Sequence, residues 1–290
     1  MPPVDPPPPE RSDDVPKESA RTILFQFVLF PLGIVVVAVA VFLLFGKLAS
    51  NEQSIPDYLN EIRSGSSHER WQAAYQLSKS LKRGEAKKYP NLEQEVAEIY
   101  TGAKNDDPRI RRYLSMVLGS LGDRRATPLL VEATGDRDPE TRIYALLALA
   151  ELRDPSAVPA LLRSAADDDK DVRATALYVL GAVGDPRAVP VLVAALSDPV
   201  ADVRFNAAVA LSRFNDRRAL GVLEEMLDRS RLDRVAGMRE DQKEEAMIVA
   251  IGAYIRLTKS DDSHALRRLL ADPSLRVQAV AKEALNQLTH

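Results

Sequence analysis

The side chains that could do chemistry in this chain are few and far apart. There is no cysteine, so disulfides, thiolate metal sites and cysteine nucleophiles are all removed. Histidine stands only at His68, His264 and His290, and only His68 has a second metal-ligating group beside it, Glu69, in a loop-like Ser-Ser-His-Glu stretch. A metal centre needs several converging ligands, so this pair reads as a solvated helix start and no metal is expected. No Gly-x-Ser-x-Gly elbow places a serine for attack, so covalent catalysis is not expected either. Gly119, Gly122, Gly181 and Gly184 could suggest a phosphate loop. They fall at the ends of helical stripes, where glycine relieves left-handed backbone geometry, and no cofactor site follows.

What the reactive residues do show is periodicity. Asp123, Asp154, Asp185 and Asp216 lie 31 apart, and so do Arg111, Arg142, Arg173 and Arg204. The same step relates Leu118, Leu149, Leu180 and Leu211, then Ala126, Ala157, Ala188 and Ala219, then Leu130, Leu161, Leu192 and Leu223. Five ladders in one register define a repeat. Rows of Asp and Arg could pass for a functional line of charge, but structural duty explains them better, with Asp capping helices and Arg pairing with a neighbouring turn. Tyr113 and Tyr144 keep the step too and read as packing between adjacent helices.

The elements follow from that register. Arg142, Ala145, Leu149 and Leu152 form one helical stripe, Asp154 and Pro155 interrupt, and Val158, Leu161 and Ala165 form a second. Each unit is thus a first helix that carries the Arg and a second that begins near Pro128, Pro159 or Pro190. Asp-Pro pairs at 107–108, 138–139, 154–155, 185–186 and 272–273 are start signals, since Asp caps free N–H groups and Pro suits a first turn. One such pair leaves an apolar face bare, so only stacking makes the array stable. Upstream, Arg70, Ala73 and Leu77 restart the stripe. Downstream, an insertion of about nine residues within 228–243 precedes further units, and a last half-unit around Arg276, Ala279, Val280, Leu285 and Leu288 acts as a cap.

Ahead of the repeats stands a different kind of segment. Ile23 to Phe45 carries no charge, and at about 1.5 Å per residue it is long enough for about 30 Å of hydrocarbon, so one transmembrane helix is expected. A long acidic leader, and Lys47 and Leu48 where small residues should prepare cleavage, argue against a removed signal peptide. Pro2 to Pro9 holds six prolines and reads as an extended, solvated tail. Arg11, Lys17 and Arg21 before the span outnumber Lys47 and Arg63 after it, which favours a single-pass topology with the repeats on the extracytoplasmic side. The expected organisation is a tail over 1–22, the membrane helix over 23–45, a linker over 46–55 and the repeats over 56–290.

Asp138-Pro139-Glu140-Thr141-Arg142 and the run from Gly184 to Pro190, Gly-Asp-Pro-Arg-Ala-Val-Pro, resemble the HEAT-like repeat of the phycobilisome-lyase type. The resemblance implies an all-α, right-handed α-α superhelix, here of about six and a half helix pairs. It also implies that first helices line the convex face and second helices the concave one. It says little about activity, because that repeat type includes chromophore lyases, DNA glycosylases, a di-iron hydroxylase and plain scaffolds.

From residue 47 onward the chain has 36 Lys and Arg against 37 Asp and Glu, which is not the footprint of a nucleic-acid binder. What remains is surface. The third position after the second-helix proline holds Val131, Leu162 and Val193, then Glu224 and Arg267, and the next holds Glu132, Arg163, Ala194, Glu225 and Arg268. On the expected concave side these rows form a groove for a protein segment. The expectation is therefore a membrane-anchored, non-enzymatic scaffold or adaptor that binds a protein partner, with a lyase-like or chaperone-like role as the alternative.

Overall fold

The computed structural model describes residues 30–49, 54–81, 88–258 and 263–289. The chain forms two units, Met1–Ser54 and Ile55–His290. In the first, a 20-residue helix α1 (Phe30–Ala49) exposes Phe30 and every side chain described from Leu32 to Leu44. It runs four residues past Phe45, into the expected linker. Residues 1–29, which include the tail and the start of the expected span, lie outside the described residues. Among the described residues no helix is long and apolar enough to cross a membrane.

The second unit is helical throughout its described residues. Its helices are α2 (Ile55–Ser64), α3 (Ser67–Ser80), α4 (Leu92–Gly102), α5 (Pro108–Leu121), α6 (Thr127–Ala133), α7 (Pro139–Leu152), α8 (Val158–Ser164) and α9 (Lys170–Val183). They continue with α10 (Val189–Ala195), α11 (Ala201–Arg213), α12 (Leu220–Met226), α13 (Arg229–Leu232), α14 (Glu240–Leu257), α15 (His264–Arg268) and α16 (Leu275–Thr289). Apart from α13, which occupies the expected insertion, they group as pairs of a long first and a short second helix, α3–α4, α5–α6, α7–α8, α9–α10, α11–α12 and α14–α15, with α16 alone at the end. Counted from the Arg-bearing helices, the described array thus holds the expected six pairs and a terminal half-unit, α16, with α2 as a further helix ahead of the first pair.

Local chemistry sets the boundaries. Asp107, Asp138 and Asp169 cap α5, α7 and α9, accepting from the backbone N–H of Arg109, Thr141 and Asp171 at 3.0, 2.8 and 2.9 Å. Asp123, Asp154, Asp185 and Asp216 each cap a single 3-10 turn that leads into a short helix. Pro128, Pro159 and Pro190 lie in the first turn of α6, α8 and α10, where a missing N–H costs nothing.

The arginine ladder ties pair to pair. Arg142 donates to the Asp136 carbonyl at 2.9 Å and to the Asp167 carboxylate at 2.9 Å, so one guanidinium holds its own turn and the next. Arg111 bonds the carbonyls of Ala103 and Lys104 and the Asp136 carboxylate in the same manner, and Arg173 bonds the Asp167 carbonyl and Asp198. Position 229 breaks the acidic series of 136, 167 and 198. Arg204 turns instead to Glu225 at 2.6 Å, and Arg229 reaches Asp272 at 2.6 Å. In the last helix the ladder position belongs to Gln278, whose amide donates to the Asp272 carbonyl at 2.6 Å, and not to Arg276.

Glycine does two different jobs here. Gly122 and Gly184 end α5 and α9 with φ of 71° and 76°, the left-handed geometry expected from their position. Gly119 and Gly181 serve close packing instead: a Cβ on Gly119 would stand 2.8 Å from the Cα of Ala148, and one on Gly181 2.6 Å from the Cβ of Ala210. The long helices α3, α5, α7, α9, α11, α14 and α16 pack side by side along the array, whereas successive short helices make few close approaches to one another. In a curved stack the more closely spaced row is the inner one. The first helices thus line the concave side and the second helices the convex side, the reverse of the arrangement the resemblance implied.

Candidate partner-binding face

The expected site rows lie on the short-helix side. Val131, Leu162 and Val193 are half-buried and packed against the core, so little of their apolar surface is open. Glu132, Arg163, Glu224, Arg267 and Arg268 are exposed, and Glu132 pairs with Lys104 at 3.5 Å. Glu225 is half-buried and committed to Arg204. Val131, Glu132 and Arg163 do meet, in a shallow groove between α6 and α8 that Asp167 also lines.

The long-helix side carries a feature that was not anticipated. Met116, Leu147, Tyr178 and Val249 are 40%, 41%, 42% and 40% exposed. The first three are 31 apart in sequence, Val209 continues the step half-buried, and Val249 follows after the nine-residue insertion. Among the described residues of the array, only Leu270 and Leu275 are further large apolar side chains with comparable exposure. One row therefore holds four of the six large apolar side chains that the described array exposes, which is unusual for scattered surface apolar residues. The signal was present as a 31-residue step, but three side-chain types concealed it.

Aromatic rings widen the row at its N-terminal end. Tyr75 meets Tyr113 edge-on at 5.0 Å, Tyr113 meets Tyr144 at 6.1 Å, and Trp71 lies 6.5 Å from Tyr113. The expected packing of Tyr113 on Tyr144 is thus part of a longer cluster. Arg109 sits 4.2 Å over Trp71, Lys79 4.4 Å over Tyr75 and Arg213 5.7 Å over Tyr178, which steadies rings that are not fully buried. One flank of the row carries exposed Glu140, Asp171 and Asp202, again 31 apart, with Lys170 paired to Asp171 at 3.2 Å. Glu140 bonds Arg112, and Arg112 also bonds Asp138 at 2.8 Å. Burial works against ionisation of Asp138, but hydrogen bonds from Arg112 and Thr141 outweigh it and lower the carboxyl to about 2.

Among the described residues no group of His, Asp and Glu side chains is placed to hold a metal ion, and Glu69, beside His68, caps its own helix by accepting from the Ser66 N–H at 2.8 Å. The long-helix face offers broad apolar contact with charged borders, which suits a protein surface rather than a small substrate.

Stacked helix pairs with an arginine-aspartate stitch and an open face define an α-solenoid of the armadillo and HEAT kind. The sequence pattern described as HEAT repeats matches residues 96–177 and 162–240, together half of the chain, and the protein belongs to that family. No curated protein matches the chain. Among solved structures, it is similar to the complex of CpcE and CpcF of phycocyanin lyase from Nostoc sp. PCC7120 at 21% identity and a TM-score of 0.53, covering 83% of this chain and 97% of that one. It is also similar to YibA of Escherichia coli at 18% identity and a TM-score of 0.52, covering 80% and 82%. At these identities the likeness establishes the fold alone.

Proposed function

We propose that this chain is a membrane-tethered scaffold that holds a protein partner on the long-helix face of its solenoid. The carrying observation is the exposed row of Met116, Leu147, Tyr178 and Val249 in one repeat register. Photo-crosslinking from Leu147 in native membranes tests it. A protein adduct is expected with the native surface and should vanish in a Tyr178→Asp, Met116→Asp double variant that keeps its helical circular dichroism. Adducts that persist unchanged in that variant refute the site.

Tethering rests on the uncharged run Ile23 to Phe45, whose 23 residues at about 1.5 Å each are long enough for about 30 Å, and of which α1 carries the part from Phe30 onward. Arg11, Lys17 and Arg21 favour an inside N-terminus, with the array on the extracytoplasmic side. The protein should stay in the pellet after alkaline carbonate extraction, and a C-terminal reporter should read as extracytoplasmic. Release into the supernatant defeats the tether.

The groove of Val131, Glu132 and Arg163 favours a second reading, in which the short-helix rows, with Leu162, Val193, Glu224, Glu225, Arg267 and Arg268 along them, share in the contact. An Arg163→Glu variant that loses adducts from Leu147 would support it. The lyase-like alternative rests on the fold and is tested by a bilin: a covalent adduct on an acceptor protein would displace the scaffold reading.

A further inference from the structure

The row has a spacing, and a spacing selects a ligand conformation. Packed helices lie about 8–10 Å apart, and the contacts of Gly119 with Ala148 and of Gly181 with Ala210 hold two of the intervals at the low end. A segment lying across Met116, Leu147, Tyr178, Val209 and Val249 must therefore present an apolar group about every 9 Å, always to the same side.

A polyproline II strand does this with every third residue, at about 9.3 Å. An α-helix meets the same face only every seventh residue, at about 10.5 Å, and drifts out of register over several repeats. A β-strand returns to one face every second residue, at about 6.7 Å. The polyproline II form also leaves its backbone carbonyls without internal partners, and the Tyr144 and Tyr178 hydroxyls and the Arg213 guanidinium stand along the row as donors. On the row's flank Glu140 pairs with Arg112 and Asp171 with Lys170 at 3.2 Å, both at exposed carboxylates, and Asp202 has no cation bound to it among the described residues, so the remaining acidic charge favours a basic group on the ligand. The chain's own proline stretch, Pro2 to Pro9, contains Asp5 and no cation, so charge disfavours it as the occupant.

We infer that the long-helix row takes an extended, proline-rich segment of a partner protein, apolar at every third position and bearing lysine or arginine toward Glu140, Asp171 and Asp202. This rests on the docking reading above and specifies its ligand.

A phage-displayed random peptide library of about twelve residues, enough for three intervals, is panned against the full-length protein in lipid nanodiscs. Expected is enrichment of proline or apolar residues at i, i+3, i+6 and i+9 with basic residues between. A synthetic peptide of that consensus should bind about tenfold more weakly to Leu147→Asp, to Tyr178→Ala and to an Asp171→Lys, Asp202→Lys variant, each first shown to melt like the parent. Enrichment of the helical spacing i, i+3, i+4, i+7 on peptides that the same substitutions release would overturn the extended ligand while leaving the docking face standing. No enrichment, or peptides indifferent to all these substitutions, would overturn both.

Discussion

At the scale of single residues, each repeat is fixed by groups that finish a backbone rather than groups that react. Positions 122, 153, 184 and 215 all close a long helix in left-handed geometry, and two of them are not glycine: Arg153 has φ of 46° and Asn215 of 55°. Asn tolerates this region, whereas Arg is held there at a cost of about 1 kcal/mol. Arg153→Gly should therefore raise stability by about that amount, visible as a higher urea midpoint at unchanged slope. Asp138 supplies a pH test. Its folded carboxyl at about 2 lies below the unfolded value of 3.8, so its contribution is complete above about pH 4 and fades as pH falls toward 2. Asp138→Asn should lower the melting temperature at neutral pH and flatten its fall over that acid window, and an unchanged acid slope would disprove the role.

At the scale of elements, the pairing of long helices depends on two small-residue contacts. Gly181→Ala would drive a methyl to 2.6 Å from the Ala210 side chain and force α9 and α11 apart, costing about 1–3 kcal/mol in chemical denaturation. Gly252, which has nothing within 4 Å of a Cβ, should accept the same change with little effect. The arginine stitches make a second test: Arg142→Leu leaves the Asp136 carbonyl without its side-chain donor and Asp167 with only the Asp169 N–H, and should cost about 1–3 kcal/mol. The helix pairs, their caps and the duty of the Arg and Asp rows were all legible by subtracting 31 along the chain, because each depends on residues a few positions apart. Which row lies inside the curve was not. That depends on how closely two layers are spaced, and the decisive atoms, at Gly119 with Ala148 and Gly181 with Ala210, belong to different repeats. The half-buried packing of Val131, Leu162 and Val193 was likewise not legible, because it depends on neighbours that only the folded array brings together. The row of Met116, Leu147 and Tyr178 escaped because it shares exposure and register but no side-chain chemistry.

At the scale of the molecule, an array held by neighbour contacts has no single heart to strike, and its stability should divide by position. Removing residues 258–290 uncovers the face of α14 that α16 packs against, and the shortened protein should self-associate on size-exclusion chromatography in detergent while the parent does not. The exchange of charges around α13 bears on a hazard peculiar to such arrays. When every step is alike, a growing stack can skip a unit, or a sister molecule can lend its end in place of the proper one. Here the acidic series of 136, 167 and 198 gives way to Arg229, and the arginine series of 142, 173 and 204 gives way to Glu244. A terminal segment slid back by one unit would lay Arg against Arg at that seam. The odd joint works like the keyed tooth of a lock, admitting the last helix pair and the half-unit after it in one order alone.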